Sequence, residues 1–92
     1  MSPINKKKLN LLRVKLDKLD NELLKLIKKR SNLVNEVLKV KIHKKEIIDQ
    51  KRINFILKKI NKKSIQHNID PKITNRIWKN MIWSFIDYEK RN

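Results

Sequence analysis

Five charged side chains stand on or beside apolar helical faces in this chain: Arg13, Arg30, Lys41, Arg52 and Glu89. Four of them are cations, and the chemistry open to such a set is the grip of an anion. Arg30 falls where a count of leucines spaced by threes and fours reaches its next seam position. Lys41 lies eleven residues beyond it, close to three full turns, so the two cations point to one side. Arg13 lies seventeen residues before Arg30, about 25 Å along a helix and rotated off that face. Arg52 edges the apolar face of a second helix, and Glu89 ends the apolar stripe of a third. Taken singly, each has a plain structural account. A seam arginine can snorkel to water or set register, and a terminal carboxylate can mark a helix emerging into solvent.

Other chemistries are poorly represented. The chain has no cysteine, hence no disulfide framework, thiolate metal site or cysteine nucleophile. No zinc spacing, phosphate-binding glycine loop, nucleophile elbow or pair of catalytic carboxylates appears. His43 and His67 sit in polar stretches that suit solvated side chains. No metal and no cofactor are therefore expected. The formal charge of +16 admits an anionic partner such as nucleic acid, a membrane surface or a small polyanion. Lys, Asn and Ile are abundant together, and most lysines fall on exposed helix positions, so bulk charge decides little.

The elements that must position these residues read as helices throughout. Leu9, Leu12, Leu16, Leu19, Leu23, Leu26, Leu33, Val37 and Val40 follow one another at the alternation of a helix packed lengthwise on other helices. Ser2-Pro3 suits its start, and it should run to about Ile42 or His43. Asp49 is a plausible cap for a second helix with Ile53, Ile56, Leu57 and Ile60 on one face. The polar run Asn61 to Asn68 should carry that helix's end and a turn. Asp70-Pro71 starts a third, with Ile73, Ile77, Trp78, Met81, Ile82, Phe85 and Ile86 on one face. The 92 residues should form one all-α domain, 1–92, of one long and two shorter helices. A first helix of that length cannot hide its seam in so small a monomer, so an oligomer is expected. Apolar runs are too short to cross a bilayer and no signal layout opens the chain, so a cytoplasmic protein with no membrane partner is expected.

The order and spacing of the whole set resemble the all-helical chorismate mutases. Leu12-Arg13, Leu16, Leu19-Asp20, Leu23-Leu24, Leu26-Ile27, Arg30, Val37 and Lys41 carry the first part of the likeness. It continues through Asp49, Arg52, Ile56-Leu57, Ile69-Asp70-Pro71, Ile77-Trp78, Met81-Ile82 and Phe85-Ile86 to Glu89, covering essentially the whole chain. The resemblance implies a homodimer intertwined along the long helices, with two active sites. By position, Arg30, Lys41, Arg52 and Glu89 would line one pocket, with Arg13 supplied in trans by the partner. An arginine about 25 Å along a rigid helix cannot join Arg30 on one small ligand, which fits that sharing. Val34, Val37, Ile82 and Ile86 would form apolar walls, Phe85 would stand beside the substrate, and the Asp49 backbone would meet a substrate hydroxyl.

The implied substrate, chorismate, carries two carboxylates and rearranges to prephenate by a pericyclic step. Arg13 and Arg30 would grip the carboxylates, while Lys41 and a proton on Glu89 would donate to the ether oxygen of the breaking bond. Three positions depart from the family pattern. Glu89 replaces a frequent glutamine and donates only when protonated, Ile53 stands where several members have glutamate, and Phe85 where some have serine. The last two bring in isochorismate-pyruvate lyase, a relative with a similar cationic pocket, as the alternative. A basic nucleic-acid-binding helical dimer is a remote rival. No homeodomain, zinc-finger or basic-zipper layout supports it, and no nucleic-acid partner is expected.

Overall fold

The computed structural model of the chain describes residues 3–40 and 48–91. Among the described residues there are three helices and no strand: α1 (Pro3–Val40), α2 (Gln50–Gln66) and α3 (Pro71–Arg91). None of them is long and apolar enough to cross a membrane. Ser2, Lys41 and the expected end of the first helix at Ile42 or His43 lie outside the described residues. The chain divides between Leu33 and Val34 into two compact units.

The first unit is the greater part of α1. No glycine or proline interrupts the helix after Pro3, and its leucines, lysines and glutamates are strong helix formers. The seam leucines Leu12, Leu16, Leu19, Leu23, Leu26 and Leu33 are all exposed, at 54–66%. An i,i+3 pair, Lys25 Nζ to Glu22 Oε1 at 3.5 Å, decorates the polar side and contributes a few tenths of a kcal/mol.

The second unit holds the end of α1 and the helical hairpin α2–α3. Asp49 caps α2 in an extended conformation, and its Oδ1 accepts from the Arg52 backbone N–H at 3.0 Å. Asp70 does the same for α3, accepting from Lys72 N–H at 3.0 Å. As the sequence reading expects, the polar run carries both the helix end and a turn: residues 61–66 are the last of α2 and 67–68 form the turn. Ile69 N–H donates to Ser64 O at 2.8 Å and Asn68 N–H to Ile65 O at 3.2 Å, a Schellman closure. Asn68 takes φ 57°, the left-handed position that glycine would usually fill. A chain with no glycine thus closes its turn with asparagine.

Two buried hydroxyls lock the helices just beyond this turn. Ser64 Oγ lies 2.6 Å from Ile60 O and shares a 2.6 Å hydrogen bond with Thr74 Oγ1, which in turn lies 3.3 Å from Pro71 O. Further along, Ile53, Ile82 and Ile86 form the buried core, with Leu38, Ile56 and Leu57 packed against it. Burying a side chain of this size contributes about 2 kcal/mol, so three make a small core. The expected third-helix stripe is corrected at Ile73 and Ile77, which are exposed. At about 100° per residue they sit 140–180° around α3 from Ile82, and Thr74 takes the inner position instead.

Candidate functional site

The hairpin sets its own register. Antiparallel helices rise equally, so each step back along α2 is matched by a step forward along α3. With Ser64 opposite Thr74, Ile53 (eleven residues back) stands level with Phe85, and Asp49 (fifteen back) level with Glu89. The core of Ile53 with Ile82 and Ile86 agrees with that count. Glu89 is 7% exposed, a carboxyl group drawn inside at the level of the α2 cap. Burial of a carboxyl strengthens whatever hydrogen bonds it makes.

Around this end, Ile82 and Ile86 are buried, Phe85 and Val34 half-buried, and Val37 exposed. Tyr88 Oη donates to Asn35 Oδ1 at 3.0 Å, tying the last turns of α3 to α1 directly beside Glu89. Sequence reasoning missed both residues. Fifty-three positions separate them, and the only available signal is that each adjoins a residue of the expected site. Ile53 is buried in the core, so its position offers no hydrogen bond to a ligand.

Arg52 is exposed at the first turn of α2, with its guanidinium carbon 5.4 Å from the centroid of the Phe55 ring, over its face. Asp49 is exposed as well, and its side chain is engaged in capping, which leaves backbone as its contribution to a ligand. Arg30 is half-buried and Arg13 exposed, both on the α1 portion of the first unit. Lys41 lies outside the described residues. Structure therefore brings Asp49, Ile82, Phe85, Ile86 and Glu89 to one end of the hairpin, with Arg52 at its rim. Among the described residues no group of three His, Cys, Asp or Glu side chains could hold a metal ion. What the described end of the hairpin offers is an apolar wall, a buried carboxyl group and an exposed cation. That set suits binding and electrostatic stabilisation of an anionic guest.

Comparison with known proteins bears on this arrangement. The family model for chorismate mutase type II matches residues 12–90. A chorismate mutase of Methanocaldococcus jannaschii is 36% identical over 76 residues, which cover 82% of this chain and 77% of that protein. No solved structure gives a significant match.

Proposed function

The chain belongs to the type II chorismate mutase family, and from that membership we propose that it works in a pocket shared by two copies of itself. It rearranges chorismate to prephenate, an isomerisation that feeds phenylalanine and tyrosine synthesis. The observation that carries the reading is the family match over residues 12–90, which takes in Arg13, Arg30, Lys41, Arg52 and Glu89 together. Both matches name the mutase, and the pyruvate lyase loses its standing as an alternative.

The reaction breaks one C–O bond and forms one C–C bond within a single molecule, so nothing is transferred to the protein. What the protein supplies is orientation and electrostatics. Arg30 and the partner's Arg13 hold the two carboxylates through bidentate forks, selecting the folded conformer in which the reacting carbons meet. Negative charge develops on the ether oxygen as its bond breaks. Lys41 and protonated Glu89 donate to that oxygen, binding the transition state more tightly than the ground state. Arg52 assists Lys41 and one carboxylate. Val34, Val37, Ile82, Phe85 and Ile86 shed water from the site, and the Asp49 backbone meets the ring hydroxyl.

The exposed leucine seam of α1 supports the dimer, since a second copy is the partner that presents the matching seam. All 92 residues then serve one domain, completed by its twin, in the cytoplasm. A mixing experiment tests the sharing. Arg13→Ala and Arg30→Ala are each expected to lose about a hundredfold or more in kcat/KM. Unfolded together in equal amounts and refolded, they should regain about a quarter of wild-type activity. Half the dimers are mixed, and each of those has one complete site. No recovery, with mixed dimers verified by mass, would place both arginines in the same subunit's site or outside it.

A further inference from the structure

We infer that Phe55 is a positioning residue for Arg52, holding its guanidinium by the ring face so that its N–H donors stay free for the substrate. The inference rests on the reading of Arg52 as a substrate contact given above. Arg52 lies one turn before Phe55 on α2, and its guanidinium carbon sits 5.4 Å from the ring centroid, within the range of a cation–π contact. Lys59 approaches the same ring one turn later, with Nζ at 5.9 Å from the centroid. The ring itself is 54% exposed, unusual for phenylalanine and of no service to the core formed by Ile53, Ile82 and Ile86.

The choice of an aromatic ring has a physical reason. An arginine on the exposed flank of a helix spreads over many rotamers, and ordering it on a ligand costs binding free energy. A carboxylate at the position of Phe55 would order it too, but by occupying the donors and the charge that the substrate needs. A ring face attracts the cation while leaving the in-plane N–H groups of the fork available. The rest of α2 is consistent with this division of labour. Gln50–Gln66 holds six cations, Lys51, Arg52, Lys58, Lys59, Lys62 and Lys63, and no acidic residue that would capture Arg52. The cap at Asp49 is engaged through Arg52's backbone N–H, not its side chain.

Steady-state kinetics on chorismate with four variants of the full chain tests this. Phe55→Leu should raise KM about threefold while kcat changes less than about twofold, because loss of preorganisation falls on substrate capture. Phe55→Tyr, which keeps the ring face, should restore the wild-type KM. In an Arg52→Ala background, itself raised in KM, adding Phe55→Leu should change nothing more. A structural role for the ring would lower both variants' melting points and cost the same in either background, which would overturn the inference. So would an unchanged KM in Phe55→Leu beside a raised KM in Arg52→Ala. Unchanged kinetics in Arg52→Ala would instead remove the reading of Arg52, and the inference with it.

Discussion

The hairpin α2–α3 and the first thirty-odd residues of α1 solve the same problem in opposite ways. Both are helices with apolar periodicity, but the hairpin closes on itself. Its two starts are capped by Asp49 and Asp70, its turn by the Asn68 Schellman closure, and its inner face by Ile53, Ile82 and Ile86. The α1 portion closes on nothing within its own unit, and six seam leucines remain more than half exposed. The proposed active-site residues fall across the same divide. Arg13 and Arg30 come from the open region, Arg52 and Glu89 from the closed one. If two copies share the pocket as proposed, turnover is conditional on association.

The most severe way to break the comparison is to charge the open seam. Leu19→Glu combined with Leu23→Glu places carboxylates where two seams would meet, and like charges there cannot be buried unpaired. Sedimentation velocity should report a single copy in place of two. Chorismate consumption should fall more than about a thousandfold, since both the trans arginine and the enclosed pocket are lost. A monomeric variant that retained turnover would mean that one copy suffices, and the proposed division of the site would fail.

How much of this was legible beforehand follows the same divide. Capping residues act through bonds to their own neighbours, so Asp49 and Asp70-Pro71 announced α2 and α3 directly. Glu89 stood out because a carboxylate at the end of an apolar stripe is anomalous, and it proved buried. Ser64 and Thr74 were invisible for the converse reason: hydroxyls in a polar run look like surface until a partner helix covers them. The turn residue Asn68 gave little warning, because asparagine only sometimes takes the left-handed role. Ile73 and Ile77 misled because a stripe of seven apolar residues is wider than the face one neighbouring helix can cover. Arg13 and Arg30 could be given a joint purpose only through the family resemblance, since helical spacing alone keeps them apart.

A gentler variant sharpens the contribution of the closed region. A carboxyl group donates a hydrogen bond only with its proton on, whereas an amide donates at any pH, so Glu89→Gln tests the donor role proposed for this side chain. Both substrate carboxylates stay ionised between about pH 5 and pH 9, so a difference between the two proteins in that range belongs to the side chain. Glu89→Gln keeps a donor amide at the same place and should hold kcat/KM at or above the wild-type value over that range. A Glu89→Gln variant that lost kcat/KM throughout that range would remove the donor role of Glu89 and leave the closed region with a positioning role alone.

The smallest effect expected is the one that tests whether the far end of the hairpin is only scaffold. Thr74→Val removes the hydroxyl hydrogen-bonded to Ser64 while keeping the shape of the side chain. Ser64 retains its bond to Ile60 O, so what is lost is the Ser64–Thr74 hydrogen bond and the longer 3.3 Å one to Pro71 O, about 1 kcal/mol. At equal protein concentration, which matters for an associating chain, the melting midpoint should drop by a few degrees. Thr74 lies fifteen residues from Glu89, roughly 22 Å along α3, and kcat and KM should stay within about twofold of wild type. Stability would then have moved without the kinetics, as a closed scaffold carrying chemistry at one end requires. A fall in kcat matching the fall in midpoint would instead show that the hydroxyl lock sets the height of Glu89 against α2, and that register itself is part of the catalytic apparatus.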